Sequence, residues 1–223
     1  MNYDTQSTVV RSRESALQTN KLLRNTYVLL AMTLGFSALT AGVSMVFNLP
    51  HPGIIITLIG YFGLLFLTAK LRNSVWGIAS VFALTGFMGL TLGPIVNAYL
   101  GLPNGPQIVM QALGATGIVF LGLSAYAIKS EKDFSFMGGF LFVGILVAFL
   151  ASLAAFFFEM PGLSLAVSAM FVLLMAGLIL FETSQIVNGG ETNYIMATVS
   201  LYLSIFNIFI HLLNLLGALT GRN

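Results

Sequence analysis

The sequence predicts an all-α integral membrane protein that folds as a bundle of seven transmembrane helices. Three observations support this fold class: an apolar composition, seven apolar stretches of membrane length, and an uneven distribution of basic residues between the connections. Of the 223 residues, 57% are hydrophobic and only 7% are charged, whereas an ordinary soluble domain has roughly 25% charged residues. So few charges could not cover a globular surface. This excludes a soluble enzyme, a nucleic-acid-binding protein and a disordered regulator.

Each apolar stretch is long enough for a helix that crosses a hydrocarbon core of roughly 30 Å, which takes about 20 residues. In chain order, the predicted helices cover residues 26–47, 54–71, 75–98, 107–128, 134–158, 163–187 and 195–219. Proline, glycine and asparagine are typical of turns. They interrupt the hydrophobic sequence after helix one at 48–53, after helix three at 102–106, after helix five at 160–162 and after helix six at 188–190. Basic residues mark the two remaining connections, after helices two and four.

The positions of lysine and arginine predict the orientation of the bundle, because basic connections stay in the cytoplasm. Lys70 and Arg72 follow helix two, and Lys129 and Lys132 follow helix four. The N-terminal tail holds four basic residues, while the connections after helices one, three and five hold none. We therefore expect a cytoplasmic N-terminus and an outside C-terminus. Two regions are predicted: a disordered cytoplasmic tail over 1–24 and a seven-helix membrane domain over 25–223.

Glu182 is the one formal charge well inside a predicted helix. It lies about five residues from the cytoplasmic end of helix six, hence roughly 8 Å deep. A charge at the centre of a membrane helix costs about 2.5–3.5 kcal/mol on insertion scales, and intramembrane acids are usually functional. Two interpretations remain open: a carboxyl group that is merely packed or solvated, and a functional group that titrates.

Helix seven carries a polar face, because its small and polar residues recur at steps of three and four. Such a face must turn toward other helices or a wet cavity, since lipid offers polar side chains no hydrogen-bond partners. It could hold helices together, or it could form one wall of a polar vestibule shared with Glu182, and the two roles are compatible. The candidate vestibule residues are Glu182, Gln185, Ser200, Ser204, Asn207, His211 and Asn214.

The sequence predicts neither an enzyme nor a resident metal or cofactor. The chain has no cysteine and only two histidines, His51 and His211, so no His-rich ligand set is available. A serine protease would need a serine beside His211. Ser168 has a suitable depth but no glycine-rich oxyanion sequence, so a neutral, hydrogen-bonded histidine is favoured. In helix three, Gly89 and Gly93 allow close helix approach, and Pro94 frees one backbone carbonyl.

Two sequence strings carry a resemblance to a known family: 181–186 (FETSQI) and 201–209 (LYLSIFNIF). With seven helices and a cytoplasmic tail, the chain resembles the Bax-inhibitor (transmembrane Bax-inhibitor-motif) family. The strings 23–27 (LRNTY), 92–95 (LGPI) and 189–195 (GGETNYI) are similar to bacterial members. This closer similarity to a bacterial member that modulates the ATP-dependent membrane protease FtsH implies that the chain lies in the bacterial inner membrane.

The resemblance implies two functions. The first is a modulator and slow substrate of FtsH, which restrains the degradation of membrane proteins and engages the protease, alone or with accessory membrane proteins, through its tail. Arg11, Arg13 and Lys21 are the candidate tail residues. The alternative is a pH-sensitive leak for calcium or other ions between helices six and seven.

Several family members described as calcium leaks carry a titrating pair of acids on these two helices. Here Glu182 matches the first acid, but Ser204 stands at the second position, while Gln185 and Asn207 match the family's glutamine and asparagine. One carboxylate cannot form a proton-sharing pair.

The expected partners are the lipid bilayer, the protease and, in the alternative function, calcium or protons. No nucleic acid is expected.

Overall fold

A computed structural model describes the backbone of residues 3–130 and 132–220, and the side chains of those ranges from residue 17 onward. Within these residues, seven helices are long and apolar enough to cross a membrane, which confirms the predicted fold class. A 3₁₀ turn, Ser135–Met137, leads into the fifth helix. In chain order the helices are α1 (Tyr3–Val46), α2 (Ile54–Leu71), α3 (Trp76–Leu100), α4 (Gly105–Ser130), α5 (Gly138–Phe157), α6 (Pro161–Val187) and α7 (Tyr194–Thr220).

Helix α1 extends beyond the first predicted span. Its membrane-length part is Leu17–Val46, and the helix itself begins at Tyr3. Met1 and Asn2 lie outside the described residues, as do the side chains of Arg11 and Arg13, whereas Lys21 is exposed. The disorder expected for residues 1–24 and the cytoplasmic position of the N-terminus stay predictions.

The helix ends coincide with residues that tolerate a left-handed backbone. Asn48 and Asn104 have φ angles of 48° and 59°, and Gly53 and Gly189 have φ angles of 87° and 78°. Glycine and asparagine adopt this conformation at little steric cost. These four positions lie in the connections that the turn residues predicted. Helix α6 begins with Pro161, which suits the first helical position because its missing N–H would have no partner there.

Helix α7 occupies the interior of the bundle and contacts α1, α3, α4 and α6. Helix α2 packs on α3, and α5 packs on α6. Helix α2 has one buried residue, Thr68, so most of its surface faces away from the other helices. The bundle thus has an inner group of five helices, with α2 and α5 on its outside. We call the end that carries Lys70, Arg72, Lys129 and Lys132 the basic end, and the other the opposite end.

Glycines bring the backbones of α1 and α3 together. A Cβ atom at Gly93 would lie 2.6 Å from Ser44 Cβ, and one at Gly89 would collide with the Ser37 carbonyl oxygen. The Ser44 hydroxyl also donates a 2.9 Å hydrogen bond to the carbonyl oxygen of Leu90. Leu90 lies four residues before Pro94, whose missing N–H leaves this carbonyl without its helical partner. Gly89 and Gly93 therefore allow the two helices to pack closely, and Ser44 gives the Leu90 carbonyl oxygen a hydrogen-bond partner.

A buried tyrosine joins three of the inner helices near the middle of the bundle. Tyr202 on α7 is almost fully buried. Its hydroxyl lies 2.7 Å from Ser37 Oγ on α1 and donates to the Thr85 carbonyl oxygen on α3 at 3.4 Å. A buried phenol needs such partners. The arrangement fixes the relative depth of α1, α3 and α7.

We expect Gly89→Ala to lower the free energy of unfolding by about 1–3 kcal/mol, as overpacking in a close contact does. The added methyl group has no space between Ser37 and Thr40. The change is measured by SDS-induced unfolding in mixed micelles. Gly114→Ala on α4 is the matched control, because a Cβ there meets no atom within 4 Å. That variant should keep the wild-type unfolding free energy or exceed it slightly, since alanine favours helix. Equal values for the two variants would contradict the close α1–α3 packing.

Candidate functional site

Glu182 lies on α6 opposite two serines of α7. The Ser204 hydroxyl lies 3.4 Å from Glu182 Oε2 and also 3.1 Å from the Ser200 carbonyl oxygen, one turn earlier on its own helix. Ser204 is fully buried, whereas Glu182 and Ser200 keep partial exposure. All three residues belong to the candidate vestibule predicted from the sequence, and they come together in the structure.

Glu182 and Ser200 gain their exposure from two cavities that meet at them. The end cavity, on the side of the basic end, has a volume of about 270 Å³ and is also lined by Gln185 and Glu191. The second cavity has a volume of about 450 Å³ and extends among α2, α3, α5, α6 and α7. We call this second cavity the crevice. Glu182 is thus the polar group that both cavities share with Ser200.

Asn207 lines the crevice and does not reach Glu182 through a described hydrogen bond. Its Nδ2 donates a 2.8 Å hydrogen bond to the Leu203 carbonyl oxygen on the same helix. This bond leaves the side-chain carbonyl oxygen as its available acceptor. Most of the other crevice residues are aliphatic or aromatic, among them Phe142 and Phe149 of α5. The crevice is therefore apolar along its walls and polar where α6 meets α7.

His211 and Asn214 lie in a separate cavity of about 250 Å³ in the half of the bundle toward the opposite end. Asn214 Nδ2 donates to Ser168 Oγ at 2.8 Å and to Ser164 Oγ at 3.3 Å. His211 Nδ1 lies 3.1 Å from Ser168 Oγ. The imidazole ring stacks on Phe171 with the ring centroids 4.5 Å apart. These contacts give the histidine of α7 a partner on α6, as the polar face predicted.

The seven candidate residues therefore divide into three groups. Glu182, Ser200 and Ser204 are in contact, while Gln185 lines the end cavity. Asn207 lines the crevice. His211 and Asn214 belong to the third cavity, and Phe171, which lines the crevice, also stacks on His211. The polar face of α7 is continuous along the helix, but the space beside it is divided.

Two polar residues at the basic end have roles that the sequence analysis missed. Ser184 accepts a 2.9 Å hydrogen bond from the Phe134 backbone N–H and donates to the Lys132 carbonyl oxygen at 3.1 Å. Glu191 lies in the connection between α6 and α7 and brings a second carboxylate to the end cavity. A search confined to the spans could not find Glu191. The role of Ser184, next to Gln185 on α6, could be recognised only once the position of the connection between α4 and α5 was known.

The loops at the basic end are held together by further side-chain hydrogen bonds. Asn193 Nδ2 donates to the Arg72 carbonyl oxygen at 3.0 Å and to Asn73 Oδ1 at 2.8 Å. Gln185 Nε2 donates to Ser135 Oγ at 2.7 Å.

Within the described residues, no group of three histidine or acidic side chains could hold a metal ion.

Comparison with known proteins supports the resemblance that the sequence strings predicted. Residues 19–221 match the family described as "Inhibitor of apoptosis-promoting Bax1". The chain is 55% identical over 205 residues to the "Modulator of FtsH protease YccA" of Escherichia coli K12, covering 92% of this chain and 93% of that protein. It is equally similar to the "Inner membrane protein YccA" of E. coli O6:H1. It is also 53% identical over 219 residues to an uncharacterized protein of Pseudomonas aeruginosa, covering 98% and 97% of the two chains.

We expect Ser135→Ala to raise the pKa of Asp133 toward its ordinary value. The hydroxyl and backbone N–H of Ser135 both donate to the Asp133 carboxylate and hold its pKa below that value. The variant removes the hydroxyl donor and keeps the N–H, so part of the shift should remain. A carboxyl ¹³C NMR titration in detergent measures the pKa.

A lowered carboxyl pKa favours the folded loop above the ordinary pKa, and this contribution is lost as the pH falls through the folded-state pKa. Ser135→Thr keeps a hydroxyl group and is the control, whose titration should follow the wild type. An unchanged Asp133 pKa in Ser135→Ala would show that the hydroxyl makes no such bond in solution.

Proposed function

This chain belongs to the Bax-inhibitor family and is a multi-pass inner membrane protein, and on that premise we propose that it modulates an FtsH-type ATP-dependent membrane protease. The observation that carries the proposal is 55% identity, over 92% of the chain, to a protein named as a modulator of that protease. The proposed role is that of a binding partner and slow substrate, not of an enzyme. While bound, the chain restrains the degradation of other membrane proteins.

The packing of α1 supports the slow-substrate part of the proposal. Helix α1 begins within the tail at Tyr3 and continues into the bundle, so a pull on the tail acts on this helix first. The Thr26 carbonyl oxygen accepts a 3.2 Å hydrogen bond from Thr198 of α7. Farther along α1, Ser37 contacts Tyr202, and Ser44 bonds the Leu90 carbonyl oxygen on α3. Breaking these bonds in hydrocarbon is costly, because neither partner finds water.

We expect deletion of residues 2–20 to reduce co-purification with the membrane protease in mild detergent and to lengthen the half-life of the chain after synthesis stops. The deletion removes the segment that the protease grips. It leaves Lys21 and Arg24 to maintain the orientation of the first span. A second variant replaces Arg11, Arg13 and Lys21 with glutamine and so keeps the length of the tail.

The two variants distinguish the effect of tail length from the effect of the basic side chains. Loss in the deletion alone assigns engagement to tail length, and loss in both assigns it to the basic residues. Equal recovery of the protease with wild type and with both variants would place the contact in the bundle and overturn tail engagement. Absence of the protease from every sample, including wild type, would overturn the modulator proposal.

The second candidate function is an ion leak, and the two cavities that meet at Glu182 favour it. Glu191 also lines the end cavity, and one oxygen of its carboxylate accepts hydrogen bonds from the backbone N–H groups of Thr192 and Asn193. A cation that enters there would pass this acid before Glu182. Ser204 occupies the position of the second acid in the leak-forming relatives. Any leak would therefore depend on Glu182 without a paired acid on α7.

For this candidate we expect the purified chain in vesicles to pass calcium in a pH-dependent way, and Glu182→Gln to reduce the flux and flatten its pH dependence. Glutamine keeps the shape of the side chain but cannot ionise. Glu159→Gln is the control, because Glu159 is an exposed acid at the opposite end. A calcium flux that is absent, or that is identical in wild type and Glu182→Gln, would remove the leak as a function.

A further inference from the structure

The crevice lies between the two outer helices of the bundle. Helix α2 packs on α3 and α5 packs on α6, and both α2 and α5 contribute residues to the crevice. Its volume of about 450 Å³ lies within the roughly 300–1,000 Å³ of small-molecule sites. Phe62 on α2 and Leu146 on α5 line it and remain about half exposed. The crevice therefore opens on the surface that meets the lipid.

The walls of the crevice suit an alkyl chain. Leu58 of α2, Ile145 of α5, Leu178 of α6 and Leu203 of α7 are among the aliphatic residues that line it. These side chains offer no polar partner, so a molecule that lies along them gains from apolar burial and packing alone. Entry from the bilayer also favours a molecule that partitions into lipid.

The polar end of the crevice offers hydrogen-bond acceptors. The Glu182 carboxyl group can accept hydrogen bonds, and so can the side-chain carbonyl oxygen of Asn207, whose Nδ2 uses one of its two hydrogens on the Leu203 carbonyl oxygen. The hydroxyl oxygens of Ser200 and Tyr61, which also line the crevice, can accept as well. No lysine, arginine or histidine belongs to the lining among the described residues. A group with several donors suits this set of acceptors.

We propose that the crevice binds a long-chain primary amine from the bilayer, with its alkyl chain between α2 and α5 and its ammonium group at Glu182 and Asn207. An ammonium group has three donors and no acceptor, which suits a crevice lined by the Glu182 carboxyl group and the Asn207 amide oxygen. A fatty acid of the same length would bring a second carboxyl group to Glu182, with no donor when ionised, and a fatty alcohol would bring a single donor. Selectivity among these three molecules is the signature of the site.

This inference is independent of the protease proposal, since it concerns a ligand of the bundle and not the tail. A bound ammonium group would occupy the place where the crevice meets the end cavity. The amine would therefore also obstruct any passage between the two cavities at Glu182.

The test is equilibrium binding of tritiated hexadecylamine to the purified full-length chain in detergent micelles, with hexadecylamine, hexadecanol and palmitic acid as competitors. We expect saturable binding of one amine per chain. Hexadecanol and palmitic acid should compete at least tenfold more weakly than the unlabelled amine. Equal competition by the three molecules would overturn the proposal. This part of the test uses wild-type protein only, so it does not depend on whether a variant folds.

Variants with matched controls locate the site. We expect Glu182→Gln to weaken amine binding at least tenfold, while Glu159→Gln leaves it within twofold of wild type. Ile145→Trp fills the crevice and should weaken binding to a similar extent. Leu173→Trp adds the same bulk at an exposed position of α6 outside the crevice lining and should have no effect. Wild-type affinity in Glu182→Gln or Ile145→Trp, or equal losses in the controls, would refute the assigned site.

Discussion

The close packing of α1 against α3 is the contact on which the arrangement of the bundle depends. In hydrocarbon there is little hydrophobic force between helices, so close backbone approach and internal hydrogen bonds must hold them together. Gly89 and Gly93 permit that approach, and Ser44 supplies the partner that Pro94 takes away from Leu90. Tyr202 then ties α7 to the same pair through Ser37 and Thr85. With α7 fixed in this way, its polar face lies against α6, where Ser204 contacts Glu182 and Asn214 bonds Ser168.

The helices could be predicted from sequence because the bilayer fixes their length and turn residues mark their ends. The second predicted helix, 54–71, has the same limits as α2, and the other membrane-spanning parts agree within a few residues at most ends. Helix α1 is the exception, since it continues from the membrane toward Tyr3. In a polar sequence no change in hydrophobicity marks where a helix begins or ends. Composition alone therefore could not predict where α1 begins outside the membrane.

The candidate site was only partly predictable. A polar face at steps of three and four identifies which α7 residues point the same way, and it allowed Ser200 and Ser204 to be grouped with Glu182 as candidate vestibule residues. The direction in which α6 presents Ser168 to His211, at 3.1 Å, depends on the rotation of both helices, which no pattern in one helix specifies. Glu191 escaped notice because it lies in a connection, where a charge needs no explanation. The division of the space beside the polar face into separate cavities, with Phe171 stacked on His211 between them, likewise follows from packing between helices.

The hydrogen bonds of α1 have a mechanical consequence. They occur at Thr26, Ser37 and Ser44, and thus at intervals along one stiff helix. A force along the axis of α1 loads all three in shear, so they resist together and yield together. A force that peeled the helix sideways would break them one after another at a lower peak load. The bundle is therefore strongest against a pull directed along its first helix and weaker against sideways traction.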